Sequence, residues 1–346
     1  MTEAHLVPRE SQVPAESQVS AGLAVPAELL EFIKDGNKFI IAGHREPDGD
    51  CVGSQLALTS VLRRMGKEAI PFSTGPFKRT EIKPYEHLFT SALDEKTKTG
   101  ARVIIVDCST ADRIGDMEPF WEEHPMAIID HHDNADCPKW LGGEGLAYVD
   151  LKALSTTFMV LNVIKALGLE PLKEEAELLF FGLCTDTGFF RHIDGKGAQV
   201  FDAAAALIRA GANPKAAFAA MHGGKSLNSR KLLGHILLRA ESLYDGKLIF
   251  SSENYEETCL FGLQGRDSDA LYQLLQSVDG VEAMVIIRQE TPENCTVGFR
   301  SRDAVDVGSI AKSFGGGGHK NAAGLYIAGT IEELKPKIIK AFEGVF

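Results

Sequence analysis

KFIIAGHREPDGDCVGSQLALTSVLRRMG, residues 38–66, is the stretch whose reading decides the fold. Lys38–Ala42 is a compact apolar run that reads as a strand. Ser54–Met65 sets Leu56, Leu58, Val61, Leu62 and Met65 at helical spacing and stops at Gly66. Between them, Pro47, Gly49 and Gly53 suit a tight polar loop. A strand feeding a helix in this way is one unit of an α/β domain.

The alternation continues on both sides. A short helix is expected over Leu29–Lys34 and a strand near Ala69–Ser73. Val103-Ile104-Ile105-Val106 is a near-pure β-branched run, as a strand buried on both faces requires, and Met126–Ile129 is another. Thr156–Leu167 and Glu174–Leu183 read as helices. The fold class is therefore α/β, a mostly parallel sheet with flanking helices. Residues 198–240 are helical with breaks at Gly211–Pro214 and Gly223-Gly224. A strand over Leu248–Ser252 then opens a second, smaller α/β domain, which includes a probable strand at Cys295–Ser301. The expected organisation is a disordered tail at 1–21, a first domain at 22–223, a linker helix at 224–243 and a second domain at 244–346.

Bulk composition narrows the function. The net charge of −12 argues against a grip on long duplex DNA, which calls for a basic footprint. Any nucleic-acid substrate should be short, with positive charge supplied locally by metals and a few Arg or Lys. No apolar run is long enough to cross a bilayer, and the polar start lacks the pattern of a signal peptide. The six cysteines form no C-x-x-C pair, which suits a reducing compartment. A cytoplasmic protein with no membrane partner is expected.

In open parallel sheets, ligands gather beyond the carboxyl ends of the strands. Polar residues follow the apolar runs here. His44, Asp48 and Asp50 come after the first, Asp107 after Val106, and Asp130-His131-His132 after the fourth. Asp186 stands just past an apolar helix. Together these are five carboxylates and three imidazoles, enough oxygen and nitrogen ligands for a pair of divalent ions. Asp48 and Asp50, two apart on a loop, can serve different ions. An isolated Asp-His-His is weak evidence, and the order of all four clusters carries the argument. His87, His124 and His235 have no acidic cluster around them and read as structural or surface residues. The same reading is preferred for His192 and His222.

His44-x-x-Pro47-Asp48-x-Asp50, an Asp after a buried strand, Asp130-His131-His132 and Asp186 resemble the DHH phosphoesterase family. Gly315-Gly316-Gly317-Gly318-His319 followed by Asn321-Ala-Ala-Gly324 resembles its associated C-terminal domain. The likeness runs from about residue 22 onward, and the size is similar to the branch that degrades nanoRNA and 3′-phosphoadenosine 5′-phosphate (pAp).

The resemblance implies two divalent ions, typically manganese. His44, Asp48 and Asp107 would hold one, and Asp50, Asp107, His131 and Asp186 the other, with Asp107 bridging. Asp130 would accept an imidazole N–H, and His132 would face the scissile phosphate as donor or general acid. A bridging water made acidic by the two cations would attack. Arg191, Arg300, the glycines 315–318 and His319 are the expected substrate contacts. The preferred substrate is short RNA, with pAp beside it. Cyclic di-AMP or pApA is the rival within the enzyme class, and a catalytically silent nucleotide-binding protein the rival outside it. Oligomeric state is left open by the sequence, a homodimer among the options.

Overall fold

The computed structural model describes residues 24–110, 113–114, 124–132, 145–193, 195, 197–302 and 304–346. The tail expected over 1–21 lies outside the described residues. The chain folds as two units, one ending at Gly224 and the other beginning at Lys225.

Among the described residues of the first unit, five parallel strands form one sheet in the order β2-β1-β3-β4-β5. They are β1 (Lys38–Ala42), β2 (Glu68–Phe72), β3 (Arg102–Val106), β4 (Met126–Asp130) and β5 (Leu146–Val149). The last was not expected from the sequence, because Leu146–Val149 is short and half-buried and carries little pattern. Alternate side chains leave a strand on opposite faces. Phe39 and Ile41 join a core with Ile104, Val106 and Ile129. Ile40 and Ala42 join a second core with Val103, Ile105 and Ile128 on the other face. Burial on both sides explains why β3 and β4 contain almost no polar residue.

The first core is covered by α1 (Ala27–Asp35), α2 (Gly49–Arg64), α3 (Thr156–Ala166), α4 (Lys173–Asp186) and α5 (Ala198–Arg209). α6 (Pro214–His222) follows. α2 begins five residues earlier than expected, because Asp48 caps it by accepting the N–H groups of Asp50 and Cys51, each at 3.1 Å. Two glycines allow α2 and α4 to approach closely. A Cβ on Gly53 would stand 2.6 Å from the Leu178 carbonyl oxygen. One on Gly182 would stand 2.4 Å from Thr157 Cγ2 and 3.1 Å from Asp50 Cα.

The second unit opens with α7 (Leu227–Leu238), in the stretch expected to be a linker helix. Its Leu232 and Ile236 are buried in that unit's core with Ile249, Met284 and Ile286. Six strands pair in the order β10-β11-β9-β8-β7-β6: β6 (Glu241–Leu243), β7 (Leu248–Glu253), β8 (Ala283–Thr291), β9 (Asn294–Ser301), β10 (Gly317–His319) and β11 (Ala322–Ala328). Only β7 and β8 run parallel; the other pairs are antiparallel. α8 (Tyr255–Phe261) and α9 (Ser268–Gln276) lie on this unit, as do α10 (Val307–Ser313) and α11 (Ile331–Lys340).

Gly182→Ala should lower stability by about 1–3 kcal/mol, because the added methyl group has backbone and a β-branched side chain in its way. A urea titration should show a lower midpoint with an unchanged slope. An unchanged midpoint would mean that α2 and α4 can separate freely.

Candidate metal centre

The chain reverses its direction of winding between β1 and β3, which are neighbours in the sheet. A crevice opens outside the strand ends at such a point. His44 leaves β1 and Asp107 leaves β3, so their side chains meet there, with His44 Nε2 3.5 Å from Asp107 Oδ2. Asp107 has φ +60°, a left-handed backbone seldom adopted by residues other than glycine, while its N–H still bonds to Ile129 O at 3.0 Å.

β4 ends in Asp130 and delivers His131. His131 Nε2 lies 3.3 Å from Asp186 Oδ2, 3.6 Å from Asp107 Oδ1 and 3.9 Å from Asp50 Oδ2. His44 Nε2 lies 3.9 Å from Asp48 Oδ1. Asp48 and Asp50 thus face different imidazoles. His44, Asp48, Asp50, Asp107, Asp130, His131, His132 and Asp186 therefore converge on one place.

The imidazoles share a feature. His44 Nδ1 is 2.8 Å from Arg45 O, and His131 Nδ1 is 3.2 Å from Ala153 O. Carbonyls only accept, so each Nδ1 carries a proton, and in the neutral ring each Nε2 presents a lone pair; in the metal-free protein, against its burial, Asp107 and Asp48 favour a protonated His44. His132 Nδ1 is likewise bonded to Asp130 Oδ1, at 2.8 Å. The Nε2 of His131 is buried with no hydrogen-bond partner. A lone pair aimed at three carboxylate oxygens is repulsive unless a cation lies between them. The donor set of imidazole nitrogen and carboxylate oxygen fits a hard or borderline divalent cation. The sets Asp50–His131–Asp186, Asp107–His131–His132 and His44–Cys51–Asp107 each bring their donor atoms within 4.8 Å of one another.

Electrostatics agree. Burial, then the charge of Asp50, pushes the Asp107 carboxyl up to about 7. Burial and the charges of Asp50 and Asp107 push Asp186 up to about 9. Burial also raises Asp50. His132 is raised by its bond to Asp130, against the effect of its own burial.

Residues that the sequence reading left out hold the ligands in place. Asp50 accepts from the N–H groups of Thr156 and Thr157, at 2.6 and 2.9 Å, and from Thr157 Oγ1 at 2.5 Å. Thr156 Oγ1 donates to Asp107 Oδ1 at 3.0 Å. Both threonines open α3, where the free N–H groups of a helix start favour a carboxylate. The only sequence signal was Ser155, which caps that helix. The Cys51 sulfur also lies beside His44 and Asp107.

A cleft of about 590 Å³ flanks His44 and Asp48 and is lined also by Arg45, Glu46, Pro76, Arg79 and Arg113. A larger cavity, about 660 Å³, is lined by Leu56, Arg63, Tyr85, Leu88 and Glu177 and contains none of the clustered ligands. The donor chemistry identifies the site better than cavity size does.

The expected substrate contacts are distributed differently. Arg191 is exposed, with Nη2 3.3 Å from His192 Nε2. Arg300 lies over the Tyr272 ring at 4.7 Å and donates to Phe299 O. The glycine run is held by backbone hydrogen bonds and close packing. The N–H groups of Gly315 and Gly316 close the end of α10 on Lys312 O and Ala311 O. A Cβ on Gly316 would stand 2.6 Å from Gly324 O, and one on Gly318 2.5 Å from Ala322 O. Tight packing therefore requires those two glycines. Gly317, Gly318 and His319 form an exposed edge strand.

A carboxyl raised in the folded state contributes stability below its unfolded value, about pH 4, and that contribution is lost as pH rises through the folded value. The metal-free protein should thus lose stability as pH climbs towards 9, the region where Asp107 and Asp186 ionise. Added Mn2+ should raise the melting temperature more at pH 8 than at pH 6. Binding should also release protons, seen calorimetrically as a dependence on buffer ionisation enthalpy. Equal stabilisation at both pH values without proton release would refute the assignment.

The model of the DHH family, N-terminal domain, matches residues 38–183, and that of the DHHA1 domain matches 256–346. The bifunctional oligoribonuclease and PAP phosphatase NrnA of Thermus thermophilus is 29% identical, over 91% of each chain. The cyclic-di-AMP phosphodiesterase GdpP of Bacillus subtilis is 26% identical over 91% of this chain but 50% of its own. An exopolyphosphatase-related protein from Bacteroides fragilis has a similar solved structure, with TM-score 0.75 and 22% identity, covering 92% of this chain and 94% of that one. That last likeness establishes the fold.

Proposed function

We infer, because the chain belongs to the DHH family, that it is a metal-dependent phosphoesterase acting on short oligoribonucleotides and on 3′-phosphoadenosine 5′-phosphate. The observation that carries this reading is the match to an oligoribonuclease and PAP phosphatase along nearly the whole of both chains. The cluster of Nε2 lone pairs and buried carboxylates supports the metal dependence. A cyclic-di-AMP or pApA phosphodiesterase is the second reading, favoured by the likeness to GdpP, of which this chain spans about half.

His44, Asp48 and Asp107 would hold one divalent ion, and Asp50, Asp107, His131 and Asp186 a second, with manganese the expected metal. Bound there, the ions would neutralise phosphoryl oxygens and make water nucleophilic near neutral pH. The protein supplies the positioning. Thr156 and Thr157 orient Asp50 and Asp107. Asp130 fixes His132 by its Nδ1, leaving Nε2 to donate a proton to the phosphate ester. Gly317, Gly318 and His319 contribute to nucleotide binding from the second unit. Among the described residues, no helix is long and apolar enough to cross a membrane. We place the protein in the cytoplasm.

A panel of pAp, pApA, cyclic di-AMP and RNA of two to about ten nucleotides at fixed Mn2+ tests the reading. Rate per end should fall as RNA lengthens, because a longer backbone meets a chain of net charge −12. Equal rates on a dinucleotide and a long oligomer at moderate salt would count against it. Preference for cyclic di-AMP would select the second reading.

His319→Ala should lower kcat/KM for pAp about ten- to a hundredfold more than for bis(nitrophenyl) phosphate, the worth of one charge-assisted hydrogen bond. Proportional loss on both substrates would assign His319 to the fold instead.

A further inference from the structure

The cleft beside His44 and Asp48 has an unusual charge for this chain. Arg45, Arg79 and Arg113 all line it, in a protein of net charge −12. Other arginines are consumed structurally. Arg266 binds Glu253 and Glu290, Arg230 binds Asp267, Arg239 binds Glu257 and Arg64 binds Glu175. Among the described residues, none of the three cleft guanidinium groups has a carboxylate partner within ion-pair distance. Glu46, the one lining carboxylate that is not a proposed ligand, is neutralised by Lys78.

The arginines come from three separate loops that are tied together. Arg45 follows β1, Arg79 lies beyond β2 and Arg113 beyond β3. Arg45 N–H donates to Arg113 O at 2.6 Å, and Glu46 N–H donates to Gly75 O at 3.1 Å. Glu46 takes φ +52° to make this junction. The backbone thus spends its own hydrogen bonds on gathering three like charges, an arrangement that repels itself when empty.

The cleft borders His44 and Asp48 but not His131 or Asp186. An anion within it would therefore sit to one side of the cluster, not over its middle. We propose that Arg45, Arg79 and Arg113 form a subsite for a second phosphate, the one in a two-phosphate nucleotide that is not hydrolysed. Guanidinium groups match phosphate oxygens in geometry, and three converging forks select a dianion over a neutral ribose or base. This rests on the phosphoesterase reading for its substrate class, and it explains how an acidic chain recruits nucleotides carrying two phosphates.

The test is calorimetric binding of pAp and of adenosine 3′-phosphate, which lacks the 5′-phosphate that is not hydrolysed, to the full chain, with Ca2+ replacing Mn2+ to slow turnover. Arg79→Gln and Arg113→Gln are measured singly and together, and thermal unfolding checks that each remains folded. Each variant should weaken pAp roughly tenfold or more, with adenosine 3′-phosphate weakened several-fold less. The salt dependence of pAp binding should become shallower in the double variant. An exposed arginine outside the cleft, Arg209, serves as a control for net charge, and Arg209→Gln should leave the ratio of the two affinities unchanged. Equal weakening of both ligands, or of neither, overturns the subsite, as does a wild-type protein with no preference for pAp. Failure of the wild type to hydrolyse pAp or short RNA would instead overturn the proposed function, while the affinity ratio would still decide the subsite.

Discussion

The organising constraint of this molecule is a charge imbalance at the ends of β1, β3 and β4. Asp50 and Asp107 are almost completely buried, with Asp48 and Asp186 beside them. The described groups nearest them are imidazoles, not guanidinium or ammonium groups. Burying unpaired carboxylates is costly, and the weakened acidities of Asp107 and Asp186 express that cost. Fixing the imidazole protons on Nδ1 makes the arrangement worse for an empty protein and better for one holding cations. The empty cluster therefore costs the fold some stability, as a preformed candidate cation site would.

Several features of the fold serve that arrangement. The sheet order places β1 beside β3, so residues separated by more than sixty positions in sequence meet within hydrogen-bonding range. The close crossing of α2 and α4, which depends on Gly53 and Gly182, brings the start of one helix and the end of the other to the same point. Asp50 and Asp186 ride on those two ends. The start of α3 supplies N–H groups that hold Asp50 without neutralising it. A carboxylate held by neutral donors keeps its charge for a metal, whereas an arginine partner would have cancelled it.

The second unit follows other rules. Its sheet is largely antiparallel, and its glycine run serves packing as much as exposure. Gly316 and Gly318 are needed because β11 and its turn leave no room for a side chain. What remains accessible is a short edge strand ending in His319. An edge strand offers backbone donors on one side and a side chain at its end, which suits recognition of a polar ligand. Arg300, by contrast, is held on the face of Tyr272, an aromatic contact that the sequence pattern carried no trace of.

By itself the sequence determined the parallel α/β character of the first unit, since runs such as Val103–Val106 are tolerable only when both faces are covered. It also located the clustered acidic and imidazole side chains, because Asp and His placed directly after such runs have to emerge at the strand ends. His44, Asp107 and His131 were legible for that reason. Tertiary structure alone decided which side chains support them. Thr156 and Thr157 carry no distinctive signal, and their role arises only where α3 starts beneath Asp50. Arg79 and Arg113 lie on loops far apart in sequence, and nothing local marks them as neighbours. Local periodicity records burial and element type, while convergence of loops depends on sheet order and on backbone hydrogen bonds between distant segments. That is why the cluster of Asp and His could be read from the chain, and the arginine cleft beside it could not.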